Sequence, residues 1–315
     1  MDLGSNRISI RIASRGDVLC ETQQARGVIA CHATSGGFSG ELSAQAQTRP
    51  SETRPVGLCP VCSGARFARV FSVVDPLVAP TKLTLERCTT CDLVVLNPRL
   101  TERGIKRLEE ASTVYDIEPD EIDEHLQALD GVLEKLEASV TRRSRLLDIG
   151  CNRGFLLEAA RRRGWDHVVG VELSDAAAAL ARRDFGLTVH GTLEAVGHQE
   201  FDLVVAWHVL EHTLDPVDFL RSSSSLLAPE GIFAIQVPSF DALSTFIDRR
   251  MFASLVCAVH NFYFEPGSLV NTIATAGLTV VDIVEEDMLL TATCTRHPGR
   301  LTYYRPSSGD RVSRL

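Results

Sequence analysis

The sequence predicts an α/β fold, a doubly wound and mostly parallel sheet of seven strands, preceded by a small β unit built on four cysteines. Three observations predict it. From Arg145 onward, short Val-, Ile- and Leu-rich runs alternate with helical patterns, which implies parallel strands covered on both faces. The stretch "RLLDIGCNRGFLLEAARRRGW", residues 145–165, joins the first such run to a helix through a loop bracketed by Gly150 and Gly154. Upstream, "CPVC" and "CTTC" place Cys59 with Cys62 and Cys88 with Cys91, the two-residue spacing that lets both sulfurs of a pair reach one ion.

The elements follow in order. Residues 1–54 are rich in Ser, Gly, Thr, Gln and Arg and read as a disordered or weakly docked extension, apart from the alternation in "ISIRI". Cys20, Cys31 and His32 carry no function on this reading. Residues 55–100 form the cysteine unit, with "FARVFSVVD" and "TKLTLERC" as strands between the pairs. Gly64 eases the turn after the first pair, and Asp92, after the second, tolerates left-handed backbone. Residues 101–141 read as a helical linker or lid, where Ile122, Leu126, Leu129, Leu133, Leu136 and Val140 fall on one helix face. Residues 142–296 hold the alternating domain. Its strands are "RLLDIG", "HVVGVEL", "LTVH", "FDLVVAWHV", "GIFAIQVP", "LTVVDIV" and "LLTATCT". Ser174 caps one helix and Gly186 ends it, while Asp215 and Pro216 open another. The serines at 222–225 read as the polar face of that helix. Residues 297–315 are a tail.

Composition limits the function. The chain has 315 residues, a formal net charge of −9 and nine cysteines. The negative charge disfavours non-specific nucleic-acid binding. The cysteines are too unevenly spread for a disulfide scaffold, which suits a reducing compartment, so a cytoplasmic location is expected. No apolar run approaches the ~18 residues that span a bilayer. Oligomeric state stays open.

A dinucleotide loop would read G-x-G-x-x-G, but this one reads G-C-N-R-G, with Asn152 at the middle position. Asp148 stands two residues before Gly150 and suits a ligand carrying positive charge better than a pyrophosphate. Glu172, 24 residues after Asp148, ends the second strand, where a carboxylate accepts hydrogen bonds from ribose hydroxyls.

"LLDIGCNRG", "GVELS", "GTLEAV", "FDLVVAWHVLEHTLDP", "LLAPEG" and "HNFYFEPGSLVNTIATAGL" together resemble the class I S-adenosylmethionine-dependent methyltransferases. The resemblance implies a Rossmann-like fold and S-adenosylmethionine as methyl donor. It implies that Asp148, Gly150, Asn152 and Gly154 line the donor's methionine and ribose portion and that Glu172 holds the ribose. Thr192 and Leu193 would lie beside the adenine, with Thr192 where that family often has an acid. Trp207 would offer its backbone to the methionine end. With the cysteine unit, residues 57–296 resemble small-molecule methyltransferases of polysaccharide, lipopolysaccharide and natural-product pathways.

"HVLEH", residues 208–212, matches H-x-x-E-H, which in some zinc peptidases lies on a helix. Here it follows a strand directly, which argues against a peptidase. His208 is the first candidate for a general base and His212 the second, since an oxygen acceptor must lose a proton. Both histidines serve equally as loop hydrogen-bonders. A divalent ion on His208, Glu211 and His212 is an alternative that nothing else in the sequence requires. His260 precedes Phe262, Tyr263 and Phe264, a substrate wall or a core set. Four thiolates at Cys59, Cys62, Cys88 and Cys91 suit structural Zn2+, giving a zinc-ribbon-like unit; reduced thiols or a redox pair are the alternative. Three functions stay open: methylation of a small molecule such as a sugar, glycolipid or natural-product precursor; RNA methylation with the ribbon as grip; and cofactor binding without turnover.

Overall fold

The computed structural model describes residues 9–12, 18–21, 52–74, 82–110, 121–241, 258–286 and 288–297. Cys31, His32, Cys257 and the tail beyond residue 297 lie outside the described residues. Strands β1 (Ser9–Ile12) and β2 (Val18–Glu21) pair antiparallel, so the "ISIRI" alternation and Cys20 belong to a hairpin. The cysteine unit contains β3 (Thr53–Arg54), β4 (Phe67–Val74), β5 (Lys82–Cys88), β6 (Val94–Asn97) and β7 (Arg99–Leu100). There follow α1 (Glu102–Glu110), α2 (Glu121–Glu137), β8 (Arg145–Ile149), α3 (Phe155–Arg162), β9 (His167–Val171), α4 (Asp175–Phe185) and β10 (Thr188–His190). The chain continues through β11 (Phe201–Trp207), α5 (Pro216–Ser224), β12 (Leu227–Pro238), β13 (Phe262–Tyr263), α6 (Pro266–Thr275), β14 (Thr279–Glu286) and β15 (Leu289–Thr295).

Seven strands form one sheet in the order β10-β9-β8-β11-β12-β15-β14. The five strands from β10 to β12 are parallel, and β15 runs antiparallel to both its neighbours. This is the Rossmann-like sheet expected from the sequence. The order reverses between β8 and β11, so the cleft above these strands is where such sheets take ligands.

Alternate residues of each strand build two cores. Leu147, Ile149, Val204, Ala206, Phe233 and Ile235 pack with α5, α6 and the cysteine unit. Leu146, Leu203, Val205 and Ala234 pack with α2, α3 and α4. Both faces are therefore covered, as a parallel sheet requires. The α2 stripe meets this second core, with Leu126, Leu133 and Leu136 buried and Ile122, Leu129 and Val140 partly so.

Local signals set the helix ends. The Ser174 hydroxyl accepts from the Ala177 amide at 3.3 Å, and Gly186 turns left-handed with φ 66°. Asp215 Oδ1 accepts from the amides of Val217 and Asp218, both at 3.0 Å. The serine run differs from its expectation. Ser223 and Ser224 are buried, because their small side chains fall on the inner face of α5, and Ser224 Oγ donates to the Arg221 carbonyl at 2.9 Å.

The cysteine unit is not a separate bead. β4, β5 and β6 form an antiparallel sheet whose fourth strand is β13, with Phe262 opposite Val95 and Tyr263 opposite Val94. Arg87 grips Glu265 with two hydrogen bonds, at 2.9 and 2.5 Å. Val56, Cys59, Val61, Cys88, Leu93 and Val95 share the core of the large sheet. Phe262, Tyr263 and Phe264 are all buried, which makes them core packing.

Leu147 is fully buried on the central strand. Its replacement by Ala is expected to cost about 2–5 kcal/mol of unfolding free energy, read from denaturant midpoints at unchanged slope.

Candidate functional site

The loop after β8 is fastened to β9 by its own backbone. The amides of Gly150 and Cys151 both donate to the Val171 carbonyl, at 2.7 and 3.1 Å, and Gly154 donates to the Cys151 carbonyl at 2.8 Å. Gly150 has φ 75° and Gly154 φ 79°. A β-carbon on Gly150 would stand 2.5 Å from Val209 Cγ2, and one on Gly154 would stand 2.4 Å from Leu187 Cδ1. Both positions are thus strained for a residue with a β-carbon, first by the left-handed backbone and then by the approach of these side chains. Asn152 adopts φ 50°, as its residue type tolerates. Helix α3 starts directly after the loop without a side-chain cap, so its first amides are left for a ligand or water.

Two carboxylates flank this loop. Glu172 Oε2 accepts from the Asn152 amide at 2.9 Å, and Oε1 accepts from the Ser174 amide at 2.8 Å. A carboxylate has room for further donors beyond these two. Burial raises the Glu172 carboxyl, while backbone donors from Ser174, Asn152 and Leu173 pull the other way. Asp148 is 4% exposed, and no protein donor among the described residues reaches its carboxylate. Burial, and secondarily the Glu172 charge, push its pKa to about 8. The pair is poised to receive positive charge.

The remaining donor-side candidates stand at the same edge of the sheet. Trp207 ends β11 and is half-buried. Thr192 and Leu193 follow β10; the Thr192 hydroxyl hydrogen-bonds the Glu194 carboxylate, so it is engaged locally. Leu173, absent from the sequence reading, is 70% exposed beside Glu172. Its signal was an apolar residue directly after the strand-ending acid.

Past β11 the chain turns sharply. His208 takes φ 54°, a left-handed conformation that histidine adopts at a cost of about 1–3 kcal/mol, and its amide donates to the Gln236 carbonyl at 3.0 Å. Leu210–His212 forms a short 3₁₀ turn. His208 Nδ1 lies 3.3 Å from Glu211 Oε1, and His208 Nε2 is buried with no hydrogen-bond partner among the described residues. His212 Nδ1 lies 3.1 Å from the Val259 carbonyl. Partial burial and the neighbouring His260 push the His212 imidazole down, against the opposing pull of Glu211. His260 enters this group with its ring 4.7 Å from that of His212. Asn261, also missed in the sequence, ties the two segments. Its side chain donates to the carbonyls of His212 and Thr213 at 2.9 and 3.1 Å, and its amide donates to the Glu211 carbonyl at 2.8 Å.

Cys59 Sγ lies 3.5 Å from Cys91 Sγ and Cys62 Sγ lies 3.4 Å from Cys88 Sγ, with all four sulfurs within 4.8 Å of one another. Tetrahedral zinc with Zn–S of ~2.3 Å places sulfurs about 3.8 Å apart, so the donor set fits. The Cys91 hydrogen bond pulls the Cys59 thiol down and leaves the Cys91 thiol raised. The two knuckles repeat each other: Ser63 donates to the Cys59 carbonyl and Asp92 to the Cys88 carbonyl, at 2.9 and 3.1 Å, with φ 57° and 61°. The left-handed residue of the first knuckle is therefore Ser63 and not Gly64. Gly64 instead provides room, since a β-carbon there would meet Thr90 Oγ1 at 3.1 Å.

The family profile described as "Methyltransferase domain" matches residues 122–283. The chain is similar to a protein of Ruegeria pomeroyi named ubiquinone biosynthesis O-methyltransferase, 32% identical over 152 residues, covering 44% of this chain and 61% of that one. A protein of the same name from Neisseria meningitidis serogroup C is 28% identical over 145 residues, covering 42% and 56%. The chain thus spans less than two thirds of the length of either relative. A solved S-adenosylmethionine-dependent methyltransferase from Mesorhizobium loti is 22% identical, with a TM-score of 0.44 over 53% of this chain and 99% of that one.

Because Asp148 is raised to about 8 in the ligand-free fold, its protonated form adds stability below the ordinary carboxyl range, and that contribution is lost as pH rises through 8. A cation bound beside it reverses the shift. Binding of S-adenosylmethionine is therefore expected to release protons below pH 8, with affinity rising toward that pH and levelling above it. Calorimetry in buffers of different ionisation enthalpy checks this; pH-independent affinity with no proton release contradicts it.

Proposed function

The chain belongs to the methyltransferase-domain family, and from that premise we propose that it transfers a methyl group from S-adenosylmethionine to an oxygen of a small hydroxylated molecule. The observation that carries the reading is the pair of buried Asp148 and half-buried Glu172, set beside a glycine-bracketed loop where the strand order reverses. When bound, the donor supplies a methyl carbon activated by positively charged sulfur. The chain has then to align the acceptor and take its proton. His208 is suited to this, because Glu211 Oε1 beside Nδ1 leaves Nε2 as the proton acceptor. His212, held at the Val259 carbonyl, is the second candidate.

The name shared by the relatives favours oxygen as the acceptor atom. Sugars, glycolipid precursors and natural-product precursors all fit that class. RNA is disfavoured, because Arg87 is taken by Glu265 and Arg99 by the Leu214 carbonyl, which removes two cations from the ribbon surface. Among the described residues, no helix is long and apolar enough to cross a membrane.

We assign structural zinc to Cys59, Cys62, Cys88 and Cys91. The ribbon shares its core with the large sheet, so Cys88→Ser is expected to abolish the bound zinc, read by elemental analysis, and to lower the single melting transition of the whole chain. A separate early transition with the main one unmoved would refute this coupling.

The direct test incubates the chain with labelled donor and extracts of its host, and identifies the labelled product by mass spectrometry. Asp148→Ala and Glu172→Ala are each expected to abolish donor binding by calorimetry. His208→Ala is expected to slow turnover by about 10²–10⁴-fold with donor affinity retained. A chain that binds NAD or ATP and ignores S-adenosylmethionine would overturn the reading.

A further inference from the structure

Glu211, His212 and His260 each offer one ligand atom, and these atoms all lie within 4.8 Å of one another. The set differs from the one the sequence suggested, since His260 joins it from a distant segment while His208 turns Nδ1 to Glu211 Oε1. Glu211 is 1% exposed and His260 4%. Glu211 Oε1 lies 4.0 Å from His212 Nε2, and the second oxygen of the same carboxylate, Oε2, is buried with no hydrogen-bond partner among the described residues. A buried carboxylate with an open oxygen is costly unless a cation completes it.

The state of His212 fits the same purpose. The Val259 carbonyl only accepts, so the Nδ1 atom 3.1 Å away carries the proton. Nε2 then presents its lone pair, 4.0 Å from Glu211 Oε1. Metal-bound imidazoles are oriented in this way, with the other ring nitrogen donating to a carbonyl or carboxylate. The segments that supply the ligands are already fixed to each other by the three hydrogen bonds of Asn261. The His212 side chain is 33% exposed, which leaves the cluster reachable from outside.

We propose that Glu211, His212 and His260 form a second metal site, separate from the four cysteines, that holds a divalent first-row transition ion. Two imidazoles and one carboxylate leave coordination positions open, unlike four thiolates, and suit harder ions than the thiolate site does. Resting on the methyltransferase reading, the open positions take an oxygen of the acceptor beside His208. Acceptors with two adjacent oxygens, such as a vicinal diol or a hydroxyl next to a carbonyl, are then favoured over isolated hydroxyls.

The test uses the full chain with its cysteine site first filled with zinc, then titrated with cobalt(II). The expected result is one further equivalent bound, with the weak visible bands of nitrogen and oxygen ligation and no intense thiolate charge-transfer band. Glu211→Gln and His260→Asn are expected to weaken cobalt at least about tenfold while zinc content and donor affinity stay unchanged. No cobalt uptake beyond the zinc site, or equal affinity in both variants, would overturn the proposal. Should Glu211→Gln fail to fold, judged by lost donor binding, His260→Asn decides alone. Cobalt binding is read independently of donor binding, so failure of the metal site and failure of the methyltransferase reading are separable.

Discussion

Asp148 and Glu172 stand at the carboxyl ends of adjacent parallel strands, and the Glu172 charge adds to the cost of ionising the buried Asp148. The fold contains that cost in unequal ways. Glu172 receives amide donors from the loop and from the start of α4. Asp148 receives none and is held largely neutral by burial up to about pH 8. A positively charged ligand removes the imbalance, because it rewards ionisation of the group the protein leaves without support.

That arrangement depends on packing some distance away. β8 can place Asp148 at the cleft only because Leu146 points into one core and Leu147 into the other. The core beneath Leu147 is completed by the cysteine unit. Removing order from the ribbon would uncover Val95, Leu93 and Val61, which belong to the same cluster as the strands beneath the cleft. The ribbon also pairs through β6 with β13, the strand that follows His260 and Asn261. Its architectural influence therefore falls on the histidine side of the cleft more directly than on the carboxylate side, which is fastened by β8, β9 and their loop.

Much of this was legible in the sequence where the signal is local. The Ser174 cap, the Asp215–Pro216 start, the cysteine pairs and the acid–glycine loop each span a few residues, and each has a single low-cost geometry. The α2 stripe was readable because helical period is also local. What escaped depends on residues far apart in sequence. His260 lies 48 positions from His212, and the β6–β13 pairing, the Asn261 hydrogen bonds and the contact of His212 with the Val259 carbonyl bring them together. No periodicity records such a contact. In the first knuckle the hydrogen bond to the Cys59 carbonyl places the left-handed residue at Ser63, one position before Gly64, a detail the cysteine spacing does not carry. The serine run misled because small polar side chains serve a buried helix face as well as a solvated one.

The two halves of the cleft now differ in a way that bears on the order of events. On one side Asp148 is raised by burial and by the Glu172 charge. On the other, Glu211 has one oxygen turned to His208 and the other without a hydrogen-bond partner among the described residues. Each half is electrostatically incomplete, and β11 joins them, since it pairs with β8 along its length and leads into His208 at its end. His208 sits at that junction in a strained conformation. The strain is supported by the amide bond to Gln236 on the neighbouring strand, which is part of the rigid sheet. On the proposed reading, a base at the end of this central strand would keep a fixed distance to a group held at the neighbouring strand ends. Methyl transfer needs in-line alignment, so on the proposed reading the rigid element lies under the group that would position the reaction.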